Sequence, residues 1–272
     1  MIKIDSETYA ISEPKYWQQN VSYLILGSTQ GVLFDTGPGL YSIRTVVEKL
    51  TKLPLLVIPS HLHFDHVGRI QEFPNIGLMG LPELRQQVRD GVLHETPEQF
   101  MLTGPHSFKV SRCLSDGDVL ELGGRQLLVM NTPGHTPEST ALLDRERHMV
   151  FTGDLVNRIV TLCDVPGSDV HQTATSLERL LKTVPPGSPA YEAHAEKPIS
   201  WAELTQLAHG VREIADKRMA GSAMCLGGQP MRRFDVGAFA FVLPVTATQT
   251  LHPLSSATQT LDWLGATCGA TP

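Results

Sequence analysis

The sequence lacks three features that would each indicate a particular kind of protein. Basic residues are in deficit, 22 Lys and Arg against 28 Asp and Glu, whereas proteins that bind a nucleic-acid backbone usually need a basic stripe. No apolar run reaches the ~18 residues of a membrane-spanning helix, and the opening MIKIDSETYAISEPK lacks the basic-then-apolar pattern of a secretory signal. The four cysteines have no C-x-x-C spacing. We therefore expect a cytoplasmic protein with free thiols and with neither nucleic acid nor membrane as a partner.

The chain has enough apolar residues, 41% of 272, to bury a large core. VSYLILG and GVLFDTG predict a β-hairpin, and LPLLVIPS predicts a buried strand. Apolar residues at helical spacing predict one amphipathic helix over 43–50, and LPELRQQVRDG predicts another that ends before Gly91. Strands and helices thus alternate, which is typical of an α/β fold.

The second half continues this pattern up to a tail of different composition. DVLELGGRQLLVMNTPG and STALLDRERHMVFTGD predict hairpins, and TATSLERLLKTV predicts a helix. Ser200 and Glu203 have the spacing of a capping box at the start of a further helix, and FDVGAFAFVLP predicts a final strand. We predict one domain over residues 1–244 and a loosely ordered tail, rich in Thr, Ser and Ala, over 245–272.

One short segment, HLHFDH, concentrates groups that bind metals. His61 and His63 alternate on an extended stretch and can point the same way, while Asp65 and His66 follow immediately. Taken by itself, this segment could be an ordinary polar loop. Three more candidates, however, lie at the ends of predicted strands: His135, Asp154 and His194. Imidazole and carboxylate without thiolate suit Zn²⁺, and also Fe or Mn. Asp154 is the candidate that would bridge two metals, because a shared anion offsets their repulsion.

Five segments in this order resemble the metallo-β-lactamase-fold hydrolases: LFDTGPG, SHLHFDH, TPGHTPES, FTGDL and a late histidine. The resemblance spans about residues 11–219 and implies a four-layer αβ/βα sandwich with a two-metal site at one edge. It implies one metal held by His61, His63 and His135, a second held by Asp65, His66 and His194, and Asp154 between them. Asp35 matches a carboxylate that orients a metal-binding residue without binding metal itself.

Three departures from the family patterns bear on the expected activity and on the second metal. The best-known true β-lactamases have Cys where this chain has Asp154, which argues against antibiotic hydrolysis as the native task. Asn157 stands where the acyl-homoserine lactonases have Tyr, which weakens a lactonase mechanism. Around His194 the chain reads YEAHAEK instead of Pro-Gly-His-Gly, which leaves occupancy of the second metal open. The stretch LSDGDVL to FTGDLV and the helix SLERLL resemble the acyl-CoA thioesterase-like members, and resemble the glyoxalase-II members less closely.

These features predict a hydrolase with two zinc ions per chain, or Fe or Mn in their place, that cleaves a carbonyl ester-type bond. Metal lowers the pKa of bound water to roughly 7 and so makes hydroxide available. Asp65 would orient that nucleophile, and Asn157 would either donate to the substrate carbonyl or be structural. A thioester is favoured. A lactonase or phosphodiesterase of the same fold and a sulfur dioxygenase-like enzyme with a single iron are the alternatives. A non-catalytic binding module is disfavoured because no metal-binding position is missing.

Fewer signals indicate how the substrate is bound. Arg232 and Arg233 precede an apolar strand and could meet a phosphate or carboxylate, although surface solvation is the default explanation for each. Methionines and phenylalanines between 219 and 241 could form the wall of an acyl pocket, but core packing accounts for them more simply. We expect a small-molecule substrate, and the sequence leaves a homodimer open.

Overall fold

The structure is a computed structural model that describes residues 1–13, 15–16, 18–101, 106–163 and 165–245. Almost all of the predicted tail, residues 246–272, lies outside the described residues. The division into a domain and a tail therefore stays a prediction.

The first half of the chain forms a five-stranded sheet followed by short helices and strands. In chain order these elements are β1 (Ile2–Asp5), β2 (Thr8–Ser12), β3 (Val21–Leu26), β4 (Gly31–Phe34), α1 (Ile43–Leu50), β5 (Leu55–Ile58), α2 (Phe64–Val67), β6 (Gly77–Met79), α3 (Pro82–Gln87), β7 (Val88–Arg89), β8 (Val92–Glu95), α4 (Pro97–Phe100), β9 (His106–Lys109) and β10 (Arg112–Leu114). The large sheet has the order β1-β2-β3-β4-β5, and only its β4–β5 pair is parallel.

The second half forms another five-stranded sheet, two longer helices and a smaller sheet. These elements are β11 (Val119–Glu121), β12 (Gln126–Asn131), β13 (Thr140–Asp144), β14 (Met149–Gly153), β15 (Thr161–Leu162), α5 (Val170–Thr183), β16 (Ala190–Glu192), α6 (Trp201–Ala215), β17 (Ser222–Leu226), β18 (Gln229–Val236) and β19 (Phe239–Pro244). The larger sheet has the order β11-β12-β13-β14-β16, and the smaller one β15-β19-β18-β17. No helix in the described part of the chain is long and apolar enough to cross a membrane.

The two large sheets pack face to face and carry helices on their outer faces. Along β3, Tyr23 points toward the second sheet, where its ring centroid lies 5.1 Å from that of Phe151 on β14. Leu24 points the opposite way and packs with Val47 of α1, because successive strand residues alternate between faces. Leu143 of β13 likewise packs outward against α5 and α6. The four layers are the αβ/βα sandwich that the resemblance implied, and this prediction is confirmed.

The strand directions bring the predicted metal-binding segments to one edge of the sandwich. β4 and β5 are parallel, β14 and β16 are parallel, and β12 runs in the direction of β14. Two backbone hydrogen bonds join the sheets at this edge. The Val21 N–H donates to the Ala193 carbonyl over 2.7 Å, and the Thr140 N–H donates to the Ser60 carbonyl over 2.8 Å.

Local signals located several elements correctly. The β11–β12 hairpin turns at Gly123 and Gly124, whose φ angles of +84° and +71° suit glycine. The capping box at the start of α6 is confirmed, since Ser200 and Glu203 each accept a hydrogen bond from the other's backbone N–H.

Three predictions were wrong in part. The helix expected to reach Gly91 ends at Gln87, because Val88 and Arg89 pair with β8 around a left-handed turn at Asp90 and Gly91. The expected final strand is a hairpin, with β18 and β19 separated by a turn at Gly237 (φ +61°). Cys113 is a free, exposed thiol, whereas Cys225 is disulfide-bonded, so the expectation of free thiols fails at Cys225.

Candidate metal centre

The loop that leaves β5 is anchored by its apolar residues and presents its polar residues to the edge of the sandwich. Leu62 and Val67 are fully buried in the core beneath the first sheet. The extended backbone at His63 then gives way to the single turn of α2, which begins at Phe64. The backbone N–H of Leu62 donates to Oε1 of the buried Glu138 over 3.3 Å, which ties this loop to the segment after β12.

Three imidazoles converge to form what we call the first group: His61, His63 and His135. His63 Nδ1 lies 2.9 Å from His61 Nε2 and 3.1 Å from His135 Nε2. All three side chains are buried. Nitrogens bound to one tetrahedral zinc at about 2.0–2.1 Å would lie about 3.3 Å apart. The donor types and spacing of the first group therefore fit one divalent cation.

Asp65, His66 and His194 form the second group, in which a carboxylate faces two imidazoles. Asp65 Oδ2 lies 3.6 Å from His66 Nε2 and 3.9 Å from His194 Nε2. His66 comes from the same turn as Asp65, whereas His194 follows β16 in the other sheet. The potential ligand atoms of each group lie within 4.8 Å of one another, so each could hold a metal.

Asp154, the candidate bridging carboxylate, lies between the two groups. Its Oδ2 is 3.0 Å from His194 Nε2 and 3.8 Å from His135 Nε2, and its Oδ1 is 3.5 Å from His66 Nε2. His66 Nε2 and Asp154 Oδ1 are buried and have no hydrogen-bond partner among the described residues. Buried polar atoms are normally satisfied, so this pair fits a site that receives a cation.

The charges of the two groups differ. Burial, reinforced by neighbouring imidazoles, holds the pKa of His61 well below its ordinary value and lowers the pKa of His63 to about 3. Burial also lowers the pKa of His66, but Asp65, Asp154 and Asp35 outweigh it and raise that pKa to about 10. The first group therefore offers neutral imidazoles, the form that binds metals, whereas the second is a set of ion pairs.

Asp35 orients His66 from behind. Its Oδ2 lies 2.9 Å from His66 Nδ1, and its Oδ1 accepts the backbone N–H of Ser60 over 2.5 Å. Asp35 adopts φ +66°, an uncommon conformation for a residue other than glycine. A hydrogen bond at Nδ1 directs Nε2 of His66 into the cluster.

Sequence reasoning missed three residues that surround the cluster. Ser60 Oγ lies 3.0 Å from His61 Nδ1 and 3.3 Å from His66 Nδ1. Gln18 and Asn20 contact the second group from the segment before β3. The position of Ser60, directly before His61, was an available signal. Nothing local marked Gln18 or Asn20.

Among the described residues, no hydrogen bond or ion pair joins the predicted substrate residues to the cluster. Asn157 is buried three residues after Asp154, and its Oδ1 has no hydrogen-bond partner among the described residues. Arg232 donates to the Gly221 carbonyl over 2.8 Å, and Arg233 pairs with Asp235 over 2.8 Å. In the part of the chain that the structure describes, neither arginine bonds to a residue of the two groups.

Comparison with known proteins agrees with this architecture. The model of the metallo-beta-lactamase superfamily matches residues 16–208. The chain belongs to this superfamily. It is a metallo-hydrolase, and its relatives carry names of this kind.

Two relatives and one solved structure illustrate the similarity. The human acyl-coenzyme A thioesterase MBLAC2 is 31% identical over 193 residues, which cover 61% of this chain and 68% of the relative. The hydroxyacylglutathione hydrolase GloC of Haemophilus influenzae is 25% identical over 170 residues, covering 61% of this chain and 80% of the relative. TTHA1623, solved in a di-iron-bound form, is 25% identical with a TM-score of 0.52, covering 71% of this chain and 95% of that one.

Proposed function

We propose that this metallo-hydrolase cleaves thioesters, acyl-coenzyme A esters in particular, with two divalent metal ions, zinc first and iron or manganese as alternatives. The observation that carries the proposal is the pair of groups joined by Asp154 in a buried cluster of five imidazoles and two carboxylates. The similarity to relatives named acyl-CoA thioesterase and hydroxyacylglutathione hydrolase supports the choice of a thioester.

The roles of the residues follow from their positions. Bound metal ions would supply an acidified water and a Lewis acid for the carbonyl oxygen. His61, His63 and His135 would hold one ion and Asp65, His66 and His194 the other, with Asp154 shared, while Asp35 keeps His66 turned toward the cluster.

Asp65 and Asn157 have proposed roles at the reacting bond. Asp65 would orient the attacking water, because its carboxylate lies within the second group and its Oδ2 is held by Asn20. Asn157 would donate a hydrogen bond to the substrate carbonyl from its buried position after Asp154. A thiolate leaving group needs little help from a proton donor. The absence of a tyrosine at position 157 therefore matters less for a thioester than for a lactone.

Arg232 and Arg233 are proposed to meet a phosphate or carboxylate at the distal end of the substrate. Both are half-buried on β18, and each already contacts a backbone carbonyl or a carboxylate. Replacing Arg233 with Ala would then raise KM for an acyl-coenzyme A more than for a short thioester that lacks phosphates, and equal effects would argue against this role.

The central test combines metal analysis with a substrate panel of thioesters, lactones, phosphodiesters and β-lactams. We expect two metals per wild-type chain and fastest turnover on a thioester. His61→Ala should lower metal content and reduce turnover by more than about 100-fold, because it removes an imidazole from the first group. His209→Ala is the control, since His209 is exposed on α6. Full activity in His61→Ala would overturn the site, and a single iron with oxygen consumption on a persulfide would overturn the hydrolytic reaction.

A further inference from the structure

The segment of residues 18–20, between β2 and β3, contacts the second group from outside the metal-binding motifs. The backbone carbonyl of Gln18 lies 3.2 Å from His194 Nδ1. The Asn20 amide Nδ2 donates to Asp65 Oδ2 over 3.0 Å and to the Asp65 carbonyl over 2.8 Å. Among the described residues, no hydrogen bond joins this segment to the first group.

Each contact fixes the direction of a potential ligand atom. A carbonyl is only an acceptor, so His194 Nδ1 donates to Gln18, and this hydrogen bond turns Nε2 toward the cluster. Nε2 lies 3.0 Å from Asp154 Oδ2, on the side where the second group converges. The Asn20 amide holds Asp65 at two points without adding charge, so it does not compete with a cation for the carboxylate.

The segment is itself held firmly at this edge of the sandwich. The Glu13 N–H donates to the Asn20 carbonyl over 3.1 Å, and the Val21 N–H donates to the Ala193 carbonyl, beside His194, over 2.7 Å. Gln19 adopts φ +53°, a conformation that costs free energy for a residue other than glycine. Hydrogen bonds on both sides therefore maintain a strained turn directly beside the second group.

Burial of the polar Asn20 side chain is unfavourable for stability, and its contact with Asp65 gives a reason for an asparagine at this position. Its side chain is buried, and its Oδ1 has no partner among the described residues. An unsatisfied buried acceptor is unfavourable for stability. The amide is useful there because its Nδ2 reaches Asp65.

We propose that residues 18–20 selectively control binding of the second metal, with Asn20 as the positioning residue whose side chain can be tested. This inference rests on the proposed two-metal function. The first group is oriented differently, with Ser60 Oγ 3.0 Å from His61 Nδ1. Loss of the Asn20 amide should therefore weaken the second site and spare the first.

The experiment measures zinc bound per chain after dialysis against a series of buffered free-zinc concentrations. Asn20→Leu keeps the approximate size of the side chain and removes the donor. Loss of a residue that orients a ligand typically costs 10–100-fold in metal affinity. We expect two zinc ions in the wild type, and in Asn20→Leu an unchanged first affinity with a second affinity weakened by about 10–100-fold.

Gln30→Ala is the matched control, because its amide also donates to a backbone carbonyl, that of Glu121, away from the cluster. Circular dichroism of each variant verifies folding, and Asn20→Ala serves as a second variant if Asn20→Leu does not fold. Equal affinities of wild type and Asn20→Leu at both sites would overturn the inference while leaving the two-metal function intact. Equal weakening of both sites would also overturn it, because the effect would not be selective. A wild type that binds fewer than two zinc ions at saturation would instead overturn the proposed function.

Discussion

Gly153 shows how a single residue determines the position of Asp154. It has φ +52°, and a Cβ added to it would lie 2.4 Å from the Cβ of Ser60, at the exit of β5. Only a residue without a side chain lets β14 end this close to the other sheet. The exact approach of Asp154 to both groups therefore depends on this glycine.

We expect Gly153→Ala to lower the free energy of unfolding by about 1–3 kcal/mol, because the added methyl group forces Ser60 and the strand end apart. Urea unfolding measures this change. Gly227→Ala is the matched control, since Gly227 has a similar φ of +55° but nothing within 4 Å of an added Cβ. Equal destabilisation of the two variants would mean that backbone strain, and not the close approach to Ser60, is responsible.

At the scale of elements, the start of α6 is linked to the residues that follow Asp154. Arg158 Nη1 donates to Glu203 Oε1 over 2.9 Å, and the Arg158 N–H donates over 2.9 Å to Glu192, on the strand that precedes His194. Glu203 also accepts from Ser200. Arg158 and then Ser200 lower the pKa of Glu203 to about 2.

This lowered pKa predicts a dependence of stability on pH. A carboxyl group whose pKa is depressed in the folded state stabilises the fold above its unfolded pKa, near 4.5, and loses that contribution as the pH falls toward about 2. Glu203→Gln should therefore lose less stability than the wild type between pH 5 and pH 2. Urea unfolding across this range tests the difference, with Glu83→Gln on an exposed position of α3 as the control. Parallel losses in wild type and Glu203→Gln would contradict it.

At the scale of the whole molecule, the candidate metal centre takes its residues from both sheets. The loop containing His61 leaves the first sheet, whereas His135, Asp154 and His194 follow strands of the second. A cation held by both sets of residues links the two halves of the sandwich, and the unfolded chain offers no such site.

We therefore expect metal removal to lower the melting temperature. Binding to the folded state alone stabilises by about 2.7 kcal/mol when free metal is 100-fold above Kd. Calorimetry before and after dialysis against a chelator, followed by return of zinc, should show a reversible fall in Tm. The fall in Tm on metal removal should be smaller in His61→Ala, because that variant is expected to hold less metal before dialysis. An unchanged Tm after verified metal loss would contradict a cation that joins the sheets.

The accuracy of the sequence predictions depended on whether a signal was local. The amphipathic pattern of α1, the Gly-Gly turn between β11 and β12 and the capping box of α6 are each complete within a few residues, and each was found. The helix predicted to end before Gly91 ends at Gln87 instead, because Val88 and Arg89 pair with β8. The prediction of a single final strand was wrong because Gly237 reverses the chain within the apolar run and so separates β18 from β19.

The sequence by itself determined which side chains are available for metal chemistry, since HLHFDH, His135, Asp154 and His194 each carry a recognisable residue type at a strand exit. Only the tertiary structure decided how they meet. The two groups share Asp154 because parallel strand directions bring four separate exits to one edge, and because Gly153 permits close approach to Ser60. The hydrogen bonds from Asn20 to Asp65 and from His194 to Gln18 join residues 45 and 176 positions apart. The first contact depends on the strand order within the first sheet and the second on packing of the two sheets, and neither leaves a mark in any short stretch of sequence.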